Sequence, residues 1–319
     1  MKPFFEHYWE SRLGDIFDDQ TPVPVDDPSL DYLNRPPEGF LRYACERRRT
    51  LFDGVPPDPK SFRNNPTFFI TQVHRLWLML DTIREHIPLT AGSLLVDLGA
   101  FPFSLDIALR EYLDYKGRIV AMVNQDLKPE WQPGIAEQRL EIGHVNLDPH
   151  VTPAMPGLPD RLPLEDASVD AILFTHVIEH LYHPMAVLRE CSRILKPGGR
   201  LLLSTDNAYM LGAFLNFLNP QAYLHEPVEG TAAMVFTNWR GHVRFFSEGD
   251  LKALCEAAGL ALISNRMHEV LYNAFLDSYF VNPQRTIPAW RVRLLSDFPA
   301  YRNEIIQVFE KPAVPNSAG

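Results

Sequence analysis

Residues 95–104 read "LVDLGAFPFS". The run Leu95–Leu98 is apolar except for Asp97, Gly99 breaks it, and Ser104 opens the helix-like stretch "SLDIALREYLDY". A strand, a glycine and a helix in that order bring backbone amides to a helix N-terminus, the usual cradle for a nucleotide. The further glycines that such loops favour are replaced here by Phe101, Pro102 and Phe103. Such rings can crowd the approach of a ligand to the backbone. Two readings stand: the loop takes another path with Gly99 and Ala100 closest to the ligand, or the rings fill the pocket.

Downstream, short apolar stretches alternate with helical ones. "GRIVAMV", "RLEIGHV" and "VDAILFT" read as strands, "MAVLRECSRIL" as a helix entered through Pro184, and "KPGG" as a stop before the strand "RLLLST". "SEGDLKALCEAAG" predicts a helix with Ser247 as N-cap, followed by the strands "LALISNRM" and "EIIQVFEK". This alternation predicts an α/β fold, doubly wound, with a mostly parallel sheet covered on both faces. Upstream, Phe69, Val73, Leu76, Trp77, Leu80 and Ile83 recur at helical spacing and predict a helix from Thr67 to Ile87. The Pro-rich segment before it reads as an appendage of short helices. The expected division is a helical N-terminal extension or lid over 1–88 and a main domain over 89–319, with insertions at about 206–241 and 272–300. The first insertion is aromatic, holding Tyr209, Phe214, Phe217, Tyr223, Phe236 and Trp239.

A formal charge of −10 disfavours a nucleic-acid partner, because duplex binders carry a Lys/Arg surface that displaces counterions. "NNPTFF" at 64–69 precedes the first strand and reads as a turn into the long helix. Three scattered cysteines supply neither a disulfide framework nor a CxxC site, which fits a reducing, cytoplasmic setting. No apolar run approaches the roughly 20 residues that cross a bilayer, and the N-terminus does not read as a signal peptide. A soluble protein without a membrane partner is expected; the oligomeric state is not legible.

In an open parallel sheet, ligands bind beyond the carboxyl ends of the strands. Polar residues gather there: Asp97 and Gly99, Asn124 and Asp126, Asn146 and Asp148, Thr175 and His176, Thr205 and Asp206. Together "LLVDLGAFPFS", "LPLEDASVDAILFTHVIEHL", "VLRECSRILKPGGRLLLSTDN" and "GHVRFFSEGDLKALCEAAGL" resemble class I S-adenosylmethionine-dependent methyltransferases, in particular the type 11/UbiE-like group, with a glycine-poor first motif. The resemblance implies a Rossmann-like seven-stranded sheet whose last strand is antiparallel, with S-adenosyl-L-methionine as cofactor. It places Asp97, Gly99, Ala100 and Phe101 beneath the cofactor, Asn124 or Asp126 on the ribose hydroxyls, Asp148 or Asn146 on the adenine amine, Leu147 on the ring, and Thr175 beside the methionine end.

"THVIEHLYH" sets His176, His180 and His183 four and three apart, a metal-ligand spacing on a helix. The order is not HExxH, however, and Pro184 starts the helix only after His183, so no metal is expected. The resemblance puts this loop beside the sulfonium and the acceptor. A hydroxyl acceptor must lose a proton, which a histidine can take near neutral pH; His180 is the first candidate and His176 the second, with a structural role for His180 standing beside it. Arg240, His242 and Arg244 in "NWRGHVRFF" can bind an acidic acceptor or anchor the loop, with anchoring favoured for Arg244. The expected function is methyl transfer to a small-molecule acceptor, a hydroxyl of a saccharide or natural-product intermediate. An NAD(P)-dependent oxidoreductase and an inactive methyltransferase-like binding protein are the alternatives.

Overall fold

A computed structural model of the chain describes residues 19–47, 72–124, 126–148, 161–213, 242–271 and 286–313. A short strand β1 (Pro22–Pro24) leads to helix α1 (Glu38–Glu46) and the long helix α2 (Val73–His86). Strand β2 (Leu94–Leu98), helix α3 (Ser104–Glu111), β3 (Arg118–Val123), α4 (Gln132–Glu137) and β4 (Leu140–His144) follow. Then come β5 (Val169–Thr175), α5 (Pro184–Ile194), β6 (Leu195–Asp206), α6 (Glu248–Ala257) and β7 (Ala261–His268). The chain closes with β8 (Thr286–Pro288), α7 (Ala289–Asp297) and β9 (Glu304–Glu310).

The seven-stranded sheet has the order β4-β3-β2-β5-β6-β9-β7, and β1 pairs with β8 in a separate two-stranded ribbon. Neighbours from β4 through β6 are parallel, whereas β9 runs antiparallel to both β6 and β7. This is the doubly wound, Rossmann-like sheet that the alternation predicts, with its last strand reversed. Because successive strand residues face opposite sides, β2 sends Leu95 to one core cluster and Val96 and Leu98 to the other. Helices α2 and α3 cover the first face and α5 and α6 the second.

Leu30, Leu33, Phe40, Leu41 and Ala44, from the N-terminal extension, are buried in the same core cluster as Leu95 and Phe103. Residues 67–71 of the predicted long helix, 214–241 of the first insertion and 272–285 of the second lie outside the described residues. The described end of the second insertion is β8 and α7, and β8 pairs with β1 from the extension.

Local chemistry accounts for several boundaries. Pro184 occupies the first turn of α5. Ser247 caps α6 in a reciprocal capping box with Asp250. Two elements differ from expectation. Helix α3 ends at Glu111 rather than near Tyr115, because Tyr115 turns back and donates its hydroxyl to the Ser93 carbonyl at 2.8 Å. "KPGG" does not end one element before the next; it is looped out within β6, so that Val169 pairs with Leu195 and Ala171 with Arg200. Gly198, at φ +80°, makes that excursion.

Candidate functional site

The carboxyl ends of β2, β3, β4 and β5 bring the predicted polar residues to one edge of the sheet. Gly99 follows β2 at φ +79°, and a Cβ there would stand 2.5 Å from Val177 Cγ2. Only glycine fits this position, both for its backbone and for the close pass of the β5 loop. The amides of Gly99 and Ala100 donate to the Met122 carbonyl at 2.9 and 3.0 Å, tying the loop to the end of β3.

Phe103 adopts φ 66°, the left-handed conformation that a glycine takes at no cost. Its ring is fully buried in the core on the α2 and α3 face. Phe101 leans on Trp131 at 5.3 Å and on Phe103 at 5.9 Å between centroids, and packs against the same core. The Phe103 ring is thus turned into the core, and Phe101 lies half-buried beside it.

Beneath the loop, burial pushes the Asp97 carboxyl up to about 7. Burial, and then the Asp97 charge, raise Asp106 of α3 well above the carboxylate range. Neither Asp106 oxygen has a hydrogen-bond partner among the described residues. Sequence reading missed Asp106, whose position in an amphipathic helix gives no signal that it is wholly buried.

Asn124 and Asp126 are both exposed beyond β3; the residue between them lies outside the described residues. Beyond β4, Asn146 and Asp148 are buried, and Leu147 packs against the second core cluster. Asp148 uses both carboxylate oxygens on the next loop: Oδ2 accepts from the Tyr182 amide at 2.6 Å and Oδ1 from the His183 amide at 3.1 Å. Its own amide donates to Asn146 Oδ1 at 3.0 Å. Asp148 therefore clamps the β5 loop.

The β5 loop carries the reactive cluster. Thr175 ends the strand, His176 turns the chain at φ 53°, and Ile178–His180 form a single 3-10 turn before α5 begins. His176 and His180 therefore do not share a helical face. Both approach Glu179: His176 Nδ1 lies 3.3 Å and His180 Nε2 4.0 Å from Glu179 Oε1. His176 Nε2 donates to Glu304 Oε1 on β9 at 2.6 Å.

Burial and Arg75 push the His176 imidazole down, but Glu304 and Glu179 outweigh them and raise it to about 9. Burial opposes ionisation of Glu179; the neighbouring imidazoles prevail and hold it down at about 2. His176 and Glu179 thus form a buried ion pair, and at neutral pH His176 already carries a proton. That leaves His180 as the candidate base.

His242 stands with its ring centroid 4.8 Å from that of His180, edge to face, and its Nδ1 is 3.7 Å from Asp206 Oδ2. The amide of Val243 donates to the Glu179 carbonyl at 2.9 Å, and Arg244 donates to the Tyr182 carbonyl at 3.1 Å. Arg244 thus anchors the loop through a backbone carbonyl, while Arg240 lies outside the described residues.

Glu179, His180 and His242, and likewise His176, Glu179 and Asp206, present ligand atoms within 4.8 Å of one another, close enough for a cation. Arg75 of α2 reaches Glu304 Oε2 and Asp206 Oδ1, both at 3.1 Å. Glu304 and Arg75 escaped sequence reading, since each lies more than 100 residues from His176 or from Asp206.

Residues 99–265 match the family model described as a methyltransferase domain. A ubiquinone biosynthesis O-methyltransferase of Xylella fastidiosa is 28% identical over 203 residues, covering 55% of this chain and 77% of the relative. A probable S-adenosylmethionine-dependent methyltransferase of Mycolicibacterium smegmatis is 52% identical over 47 residues, covering 15% of this chain and 18% of the relative. Among solved structures, an S-adenosylmethionine-dependent methyltransferase from Mesorhizobium loti aligns with a TM-score of 0.45 at 13% identity, over 72% of this chain and 96% of that one.

Proposed function

Because the chain belongs to the class I S-adenosylmethionine-dependent methyltransferases, we propose that it methylates an oxygen of a small-molecule acceptor, a hydroxyl of a saccharide or natural-product intermediate. The observation that carries this reading is the cluster at the end of β5, where His180 and His242 stand together beside the ionised Glu179. The match over residues 99–265 favours this over a nicotinamide-dependent oxidoreductase. The buried ring of Phe103 speaks against an inactive binding protein.

The residues present fit the cofactor. The bend at Gly99, too close to Val177 for any side chain, stands where the resemblance puts the cofactor's cradle. In this reading Asp97, Ala100 and Phe101 lie beneath the cofactor, and Asp126 or Asn124 takes the ribose. Asn146 and Leu147 meet the adenine, with Asp148 behind them, and Thr175 faces the methionine end. The cofactor, when bound, supplies an electrophilic methyl group on a cationic sulfur.

What the chain adds is placement and a proton acceptor. His180 takes the hydroxyl proton as the oxygen becomes nucleophilic, and Glu179 stabilises the resulting imidazolium. His242 packs on the His180 ring and limits its rotation. The Asp148 clamp fixes the turn that carries His180, so the base stays aligned with the acceptor.

The N-terminal extension and both insertions would close over this edge as lid and acceptor pocket. The net charge of −10 speaks against nucleic acid, and a cytoplasmic location fits the cysteine usage. No helix among the described residues is long and apolar enough to cross a membrane.

Calorimetry with S-adenosylmethionine, its demethylated product and NAD tests the cofactor. A panel of hydroxylated acceptors, followed by release of the demethylated product, tests the reaction. Methylation of amines alone, unaffected by His180→Ala, would refute the oxygen assignment.

A further inference from the structure

Asp206 closes β6, and the turn beyond it is held from several sides. Asn207 is wholly buried. Its side-chain amide donates to the Ala300 carbonyl at 2.7 Å and to the Arg302 carbonyl at 2.8 Å, and its Oδ1 accepts from the Tyr209 amide at 3.0 Å. Its own amide donates to the Asn303 carbonyl at 2.9 Å, and the Met210 amide returns to the Asn207 carbonyl at 3.1 Å. The Ala208 amide donates to the Phe246 carbonyl at 2.8 Å. Leu211 is buried against Leu294 and Leu295 of α7. Buried anchors thus stand on both sides of Tyr209, which is itself 63% exposed.

The other exposed large apolar side chains among the described residues are Tyr182, Phe298, Tyr301 and Ile263. Ile263 lies on the edge strand β7. The rest stand with Tyr209 at the carboxyl edge of the sheet. Tyr182 follows β5, while Phe298 and Tyr301, 6.3 Å apart between centroids, precede Glu304, the β9 partner of Asp206. One exposed ring is ordinary, but several at one edge mark a binding surface. The same edge carries the His180–His242 pair. Phe246, which holds Ala208, lies in the segment that carries His242, and His242 Nδ1 is 3.7 Å from Asp206 Oδ2. Three residues of chain span at most about 11 Å, which bounds the distance from Asp206 to Tyr209.

A phenolic ring offers an apolar face with a polar tip, and here its backbone is fixed before any ligand arrives, which lowers the entropy lost on binding. It suits a flat partner that also carries hydroxyls. We propose that Tyr209 is a specificity-determining residue whose ring packs on the face of a ring in the acceptor, a sugar or a phenol, beside the hydroxyl that is methylated. The role rests on the oxygen-methylation reading and selects ring acceptors over open-chain alcohols.

Saturation-transfer NMR on the full chain, with the cofactor's demethylated product present, measures binding of methyl β-D-glucopyranoside, phenol and glycerol. At least one ring probe should bind more tightly than glycerol, and which one does so separates a sugar from a phenol. Tyr209→Ala should weaken that probe by about fivefold or more, the scale of a lost ring contact, and Tyr209→Phe should recover most of the affinity. Ile263→Ala, an exposed apolar truncation on β7, should leave binding unchanged. An exposed side chain contributes little to the fold, so the thermal midpoint of Tyr209→Ala should stay within about 2 °C of the natural chain; Tyr209→Ser is the second truncation if it does not.

Ring probes that bind no better than glycerol overturn the proposal. So does ring binding that survives both Tyr209 truncations, or that falls equally in Ile263→Ala. Failure of the oxygen-methylation reading looks different: the ring probe still binds and still depends on Tyr209, yet no hydroxyl acceptor receives a methyl group in a turnover assay.

Discussion

Replacing Phe103 by glycine restores the residue that nucleotide-cradling loops favour, and it distinguishes a ring that serves the core from one that obstructs a cofactor. In the structure the ring is fully buried while the backbone sits at φ 66°. Truncating a buried Phe to Ala costs about 3–5 kcal/mol. An L-residue held in the left-handed region costs about 1–2 kcal/mol, which glycine relieves. Phe103→Gly should therefore destabilise the fold by about 2–4 kcal/mol, and Phe103→Ala by about 1–2 kcal/mol more than the glycine variant. At a few degrees per kcal/mol for a chain of this size, the glycine variant should lose on the order of 5–10 °C in thermal midpoint.

Calorimetry supplies the deciding number. If the ring belongs to the core, S-adenosylmethionine binds the glycine variant no more tightly than the natural chain. A tenfold gain in affinity, about 1.4 kcal/mol, together with an unchanged thermal midpoint, would refute the reasoning by showing that the ring occupied the cofactor's place.

Three further outcomes follow from the same geometry. Gly99→Ala forces a Cβ to within 2.5 Å of Val177 Cγ2 at φ +79°, so it should lose stability and cofactor binding. Adding Val177→Ala should return the steric part and leave about 1 kcal/mol of backbone cost in a double-mutant cycle; a stable single variant contradicts the close approach. Asp148→Ala removes the acceptor of two backbone amides, each charge-assisted bond contributing about 1.5–3 kcal/mol, and should speed hydrogen exchange at Tyr182 and His183. Unchanged exchange there means that Asp148 is not the clamp.

The buried Asp97 and Asp106 carboxyls hold protons that the unfolded chain releases near its ordinary value of 3.8, so the native state binds more protons and stability falls as pH rises. For Asp97, held at about 7, the loss accrues between about pH 4 and 7. The stability of the natural chain relative to Asp106→Asn should decline over pH 4.5 to 8 in thermal melts, and a constant difference counts against the buried pair.

Much of the fold was legible because it is written in short-range chemistry. Burial on one or both faces fixes the spacing of apolar residues within a strand or helix, so "VDAILFT" gave β5 to the residue. Caps act over three or four residues, so Ser247 and Pro184 announced the starts of α6 and α5. The ends of parallel strands supplied Asp97, Gly99, Asn146 and His176 as site candidates, and His180 came from the resemblance. The left-handed Phe103 was not legible, since nothing local distinguishes a ring that turns inward from one that fills a pocket.

By itself, then, the sequence determined the alternating elements and the covered parallel sheet, because periodicity and capping need only neighbours along the chain. Tertiary structure alone decided that Asp148 clamps the Tyr182–His183 backbone and that His176 is already protonated. It also brought Arg75 and Glu304 into the site. His176 and Glu304 are 128 residues apart and meet only because β9 inserts beside β6 in one register, which puts a buried carboxylate opposite Asp206. Charge in a buried site depends on every group within a few ångströms, and which groups those are is a property of the packed chain, not of any stretch of it.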